Sequence, residues 1–132
     1  MNKAADALTP YARALGMTVS EWDSDVPILT AEYTNNLAGR PGALHGGDIS
    51  GLLETAGYAV LRAALADEKA RLKPINVTVQ FLRAGVLETT FAKGRIVKLG
   101  RRTANISVEA WQEDAAKPIA SAIMNVKIER EG

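Results

Sequence analysis

Between residues 46 and 65 the apolar side chains recur at helical spacing. Ile49, Leu52, Leu53, Ala56, Val60, Ala63 and Ala64 form one broad apolar face. Gly47, Ser50, Gly51, Glu54, Tyr58, Leu61 and Leu65 share a second face, which begins with small residues, ends with large apolar ones and carries Glu54 as its one charge. Asp48, Thr55 and Arg62 form only a narrow solvated strip. A helix that is apolar nearly all round is buried on both sides. A carboxylate at such a surface is costly unless it is paired or used. The plainer alternative is a partly exposed acid bonded to a neighbouring hydroxyl, and periodicity alone gives the two equal weight.

Elsewhere the pattern shortens to the alternation of strands. Thr9-Pro10 is expected to cap a short helix through Leu15, with Gly16 as its stop. Met17 to Trp22 and Ile28 to Tyr33 read as strands on either side of a polar turn at Asp23-Ser24-Asp25. A loop rich in glycine and proline leads into the long helix, which fades in the charged stretch Asp67-Glu68-Lys69. Pro74 is expected to open a β-rich half with strands at Ile75 to Leu82, Leu87 to Val97, Thr103 to Trp111 and Ile119 to Ile128. Turns at Arg83-Ala84-Gly85, Leu99-Gly100-Arg101 and Glu113-Asp114-Ala115 are short, so successive strands are antiparallel neighbours. One apolar helix needs a sheet to cover it. The expected architecture is α+β, a curved antiparallel sheet wrapped around one long central helix, forming a single domain over residues 1–132.

Composition narrows the chemistry. Without cysteine there is no disulfide scaffold, thiolate metal site or cysteine nucleophile. No apolar run reaches membrane-spanning length and the first residues lack a secretory pattern, so a cytoplasmic location and no membrane are expected. A net charge of +1 argues against nucleic acid as a partner. That balance conceals Lys93, Arg95, Lys98, Arg101 and Arg102, which fall in an acid-free segment of ten residues. The only histidine, His45, stands at the helix entrance before Gly46-Gly47. Unpaired backbone N–H groups and positive dipole potential at a helix N-terminus suit an anion or a carbonyl oxygen, and glycine permits close approach. A lone histidine with no serine or aspartate at a recognisable spacing makes neither a triad nor a metal site, so no metal and no cofactor are expected. Its plainer role is to fix the loop by hydrogen bonding.

Leu44-His45-Gly46-Gly47, six residues and then Glu54, the stretch from Asn76 to Ala84, the stretch from Arg95 to Ala104, and Ala120-Ser121-Ala122 occur in an order that resembles the hotdog-fold acyl-CoA thioesterases, and among them the phenylacetate-pathway-like group. The resemblance spans roughly residues 17 to 129. It implies a hotdog fold, hydrolysis of an aromatic or short-to-medium acyl-CoA, and catalytic roles for Gly46, Glu54 and His45. The Gly46 amide would polarise the carbonyl, and Glu54 would act as general base or nucleophile. Arg101 and Arg102 are candidates for the CoA phosphates, with Lys98 and Arg83 behind them. Gly47, Tyr58 and Gly100 complete the expected substrate-binding set. Gly39 stands where many relatives carry asparagine, and Glu54 where the phenylacetate-like group usually carries aspartate.

Gly46 and Glu54 are eight helical residues apart, about 12 Å at 1.5 Å per residue. One thioester carbon cannot touch both on the same helix, so a homodimer or homotetramer with shared sites is expected. Two other classes compete: a non-catalytic acyl-CoA-binding module, and a hotdog hydratase or dehydratase. The latter would normally need an aspartate and a histidine together, and no Asp-x4-His pattern exists here.

Overall fold

The computed structural model describes residues 12, 16–32, 38–40, 43–44, 46–66, 68–86 and 88–130. Strands β1 (Met17–Asp23) and β2 (Val26–Ala31) come first, then a short pair, β3 (Ala38–Arg40) and β4 (Ala43–Leu44), where the sequence suggested only a loop. Helix α1 (Gly46–Leu65) follows, then β5 (Ala70–Phe81), β6 (Thr90–Leu99), β7 (Thr103–Trp111) and β8 (Ala120–Arg130). The large strands form one antiparallel sheet in the order β1-β2-β6-β7-β8-β5. The α+β expectation holds: one helix lies on one face of a six-stranded antiparallel sheet. The turn at Arg83-Ala84-Gly85 does not make its two strands neighbours: β5 pairs with β8 at the sheet edge, while β6 pairs with β2 and β7, so the chain crosses the sheet between them. Of the helix expected at residues 9–15 only Ala12 is described, and it is helical and buried.

Alternation explains the core. Ala104, Ile106, Val108 and Ala110 of β7 and Ala120, Ala122, Met124, Val126 and Ile128 of β8 point inward and are buried. Against them pack Ile49, Leu52, Leu53, Ala56, Ala59, Val60, Leu61 and Leu65 of α1. The outer face is polar. Asn125 donates from Nδ2 to Oδ1 of Asn76 at 2.6 Å and accepts from Nδ2 of Asn105, so an asparagine ladder crosses β7, β8 and β5.

Two glycines bring helix and sheet together. A Cβ on Gly94 of β6 would lie 2.7 Å from Cγ1 of Val60 and 3.1 Å from the Ala56 carbonyl oxygen. A Cβ on Gly57 would meet Sδ of Met124 at 2.2 Å. The helix therefore rests on the strand backbone.

Several expectations shift. The fifth strand begins at Ala70, so Pro74 lies inside it rather than opening it. Proline is tolerated because β5 is an edge strand, and the ladder bulges between Pro74 and Asn76. The second strand starts at Val26, two residues before Ile28. The strand expected from Leu87 starts at Thr90 and runs to Leu99, two residues past Val97. Before it, the Gln112 side chain acts as a substitute strand, donating to the carbonyl of Val86 at 2.7 Å and accepting from its N–H at 3.2 Å.

The helix faces also change. Leu61 and Leu65, assigned to the Glu54 side, are buried, while Ala64 of the expected core face is exposed and Ala63 only half-buried. Pairing of β2 with β6 stops at Ile28–Lys93, so the two strands part beyond it. A groove of about 810 Å³ lined by Trp22, Val26, Ala63, Ala64 and Gly94 opens there. The helix ends at Leu65, before the charged stretch, and Ala66 closes it in the left-handed region at φ 51° with its N–H bonded to the Arg62 carbonyl at 3.0 Å.

Gly94→Ala is expected to destabilise the fold by about 1–3 kcal/mol, the range for overpacking a close contact. The Ala56 carbonyl is backbone and cannot rotate away. Urea denaturation of the two proteins checks this, and equal midpoints with equal slopes would show that the helix can lift without loss.

Candidate active site

The start of α1 is framed by the far end of β5. Cζ of Phe81, the last residue of that strand, lies 3.4 Å from where a Cβ of Gly46 would be. The phenyl ring walls the first turn of the helix while remaining 56% exposed. In that turn the backbone N–H groups have no acceptor within the helix, which makes Gly46 a suitable carbonyl-polarising position. His45 lies outside the described residues.

One stripe of the helix stays half-buried along its length: Gly51, Glu54, Thr55, Tyr58 and Arg62. Their spacing of three and four residues puts them on one side of the cylinder. The hydroxyl of Thr55 donates to the Gly51 carbonyl at 2.7 Å, a bond within the helix. Among the described residues Glu54 forms no hydrogen bond or ion pair. The plainer role, an acid held by a neighbouring hydroxyl, therefore lacks its bond. Tyr58 sits one turn on, and its hydroxyl is pushed above the ordinary tyrosine range by burial and then by the Glu54 charge. The two side chains lie one turn apart on the same side of the helix.

The expected phosphate-binding residues divide into two places. The Gly100 N–H donates to the Thr103 carbonyl at 2.8 Å, closing the β6–β7 hairpin that exposes Arg101 and Arg102. Space also requires this glycine, since a Cβ there would lie 3.0 Å from the Thr103 oxygen. Lys98 lies on the outer face opposite Asn105, after a bulge. Arg83 is elsewhere: its N–H donates to the Ile119 carbonyl at 3.1 Å, whereas the Arg102 carbonyl accepts from Ile128 at 2.7 Å. Nine residues of β8 separate these points, about 30 Å at 3.3 Å per residue. Within one chain, Arg83 cannot share a phosphate with the hairpin arginines. It lines a separate groove with Glu88, Glu113 and Asp114. Gly47 is exposed in the first turn.

Phe81 is the site residue that sequence reasoning missed. The stretch containing it was noticed, but nothing in a strand sequence says which helix residue its end will reach. Among the described residues no group of three or more acidic or histidine side chains could hold a metal ion.

The comparisons with known proteins bear on the family and the fold. The family model described as the thioesterase superfamily matches residues 41–119, from the helix entrance to the start of the last strand. The chain belongs to that superfamily and is a thioester hydrolase of the hotdog fold. A phenylacetic acid degradation-related protein from Ralstonia eutropha superposes with a TM-score of 0.78 at 21% identity, covering 91% of each chain. A thioesterase from Haemophilus influenzae superposes with a TM-score of 0.82 at 19% identity, covering 91% of this chain and 82% of its own. A Staphylococcus aureus thioesterase reaches 0.80 at 17% identity, covering 92% of this chain and 99% of its own. No curated protein matches the sequence. No helix among the described residues is long and apolar enough to cross a membrane.

If Glu54 supplies part of the field at Tyr58, Glu54→Gln should lower the Tyr58 pKa, while burial still holds it above the ordinary value. Ultraviolet titration of tyrosinate, with Tyr58→Phe to assign the transition, measures this. An unmoved transition would separate the two side chains.

Proposed function

We propose that this protein hydrolyses an acyl-CoA thioester to the free acid and CoA, with Glu54 as the reacting carboxylate. The observation that carries the reading is Glu54, half-buried on the uncovered stripe of the helix with its carboxylate making no hydrogen bond or ion pair among the described residues. A carboxylate with no structural partner is available to react. In the proposed reaction the thioester carbonyl lies at the helix N-terminus, where the Gly46 N–H stabilises the developing oxyanion. Glu54 takes a proton from water as the water oxygen bonds to the carbonyl carbon, or bonds to that carbon itself and is then released by water. In both routes the carbon–sulfur bond breaks, and the thiolate leaves and is protonated. His45 would order the loop that presents Gly46.

The two halves of this machinery come from different subunits. About 12 Å of helix separates Gly46 from Glu54 on one chain, too far for one carbonyl carbon. The surface supports a partner. The outer edge of β5 is unpaired in the single chain, and Ile75, Phe81 and Leu82 on or beside it are each at least half exposed. On the sheet's outer face Ile123, in register with Thr78 and Ser107, is 61% exposed, an apolar residue that a dimer of dimers would cover.

For the acyl group, small residues beside Glu54 and the flat ring of Tyr58 favour an aromatic or short-to-medium chain. The phenylacetic acid degradation-related neighbour points the same way.

Release of free CoA from phenylacetyl-, benzoyl-, hexanoyl- and palmitoyl-CoA tests the proposal. Hydrolysis should be fastest within the first three, and Glu54→Gln should lower kcat by several orders of magnitude while substrate binding persists. Binding without CoA release by the native protein would make it a carrier module instead, and hydration of an enoyl-CoA would make it a hydratase. By light scattering the protein should be a dimer or tetramer, and a fully active monomer would end the shared-site argument.

A further inference from the structure

Strand β6 is central in the sheet, yet beyond Lys93 one of its edges has no neighbour. Its pairing with β2 ends at Ile28–Lys93, while its pairing with β7 continues to Leu99. From Gly94 to Leu99 the N–H and C=O groups on the β2 side therefore meet no strand, an open edge of about 20 Å at 3.3 Å per residue. Among the described residues nothing else bonds to them there. The groove of about 810 Å³ fills the gap, lined by Trp22 and Val26 of the parting hairpin, Ala63 and Ala64 of α1, and Gly94 and Ile96 of β6. Trp22 across the gap, and Val97 and Leu99 further along β6, are exposed.

The two faces of β6 differ in what they would accept. Gly94, Ile96 and Leu99 are in register with the buried Val108, Ile106 and Ala104 of β7, on the face toward the helix. Arg95 and Lys98 are in register with Ser107 and Asn105, on the outer face. Neither cation forms an ion pair among the described residues. Lys93 is taken by Asp23 at 2.6 Å, and Asp25 is the one acid of the groove lining. A strand laid on this edge would set alternate side chains into the groove and the others beside Arg95 and Lys98. A second copy of β6 would bring like charges together, so the edge disfavours pairing with itself.

We propose that the open half of β6 and its groove bind an extended segment of a partner protein in which acidic and apolar residues alternate. Main-chain hydrogen bonds to Gly94–Leu99 hold the segment, and its side-chain pattern decides which segment fits. Its apolar residues enter the groove, and its carboxylates meet Arg95 and Lys98 on the outer face. This surface is separate from the Glu54 stripe. Val60 and Ala64, which line the groove, lie across the helix cylinder from Tyr58 and Arg62. In the sheet, β7 and β8 stand between β6 and β5, so an assembly through the β5 edge leaves the groove open.

Fluorescence anisotropy of a labelled octapeptide alternating glutamate and valine, added to the whole protein, tests this. It should bind, and a peptide of the same composition with its glutamates grouped at one end should bind about fivefold more weakly or worse, since only alternation meets both faces. Methylating alternate peptide nitrogens should abolish binding for one of the two possible sets and spare the other, as pairing through a single edge requires. Arg95→Glu should weaken the acidic peptide about fivefold or more and create binding of a lysine–valine counterpart. Ala64→Trp, which fills the groove from an exposed helix position, should weaken the acidic peptide as well. No binding by the native protein, equal binding of the two glutamate patterns, or equal effects of the two methylated sets overturns the proposal. So does an Arg95→Glu protein that binds the acidic peptide unchanged.

Discussion

The close contact between α1 and β6 sets the geometry on which everything else depends. With no side chain at Gly94, the helix backbone at Ala56 and Gly57 can settle onto the strand, and Gly57 in turn leaves room for Met124 and Val108. Side chains on the helix then reach the sheet on three sides and bury Leu52, Leu53, Leu61 and Leu65. A helix held so low can be covered by a sheet only part of the way round. The remaining stripe, from Gly51 to Arg62, faces outward with a carboxylate in its middle.

That geometry leaves two features of the single chain uncovered. The stripe runs beside β5, whose two ends meet the helix: Phe81 at its first turn, and Ala70 at Arg62 near its last. Between them lies a strand with one paired edge and one open edge. An open edge and a half-buried acid on the same side are two liabilities that one partner can remove together. The shared active site and the assembly proposed here are consequences of the same missing cover.

Polarity along the helix gives the site a direction. Its N-terminal turn favours developing negative charge on an oxygen. Its C-terminal end has the opposite dipole, and there Arg62 donates to the Ala70 carbonyl beside a cavity lined by Lys69, Arg71, Glu129 and Arg130. Arg83, about 30 Å away along β8 by strand geometry, belongs to a more acidic groove. Charge counting along the chain could not separate these places, because Arg83 lies near the basic hairpin in sequence and far from it on the sheet.

The sequence by itself determined the helix, the succession of the large strands along the chain and the central position of Glu54, because periods of 3.6 and 2 are local and survive in any packing. The sequence reading made β5 and β6 neighbours through a short turn, whereas β5 lies beside β8. It misjudged the helix faces at Leu61, Leu65, Ala63 and Ala64, and placed the start of β5 too late. Those depend on where β2 parts from β6 and on which strand lies at the edge, and both are set by contacts between distant residues. Only the tertiary structure put the Phe81 ring over Gly46, spent the Thr55 hydroxyl on Gly51 and left Glu54 without a bond among the described residues. Only it brought Arg130 to the Arg101 carbonyl and placed it with Arg62 and Arg71 around one cavity. Such juxtapositions follow from the curvature and register of the sheet, which bring together residues too far apart in the chain for local periodicity to relate them.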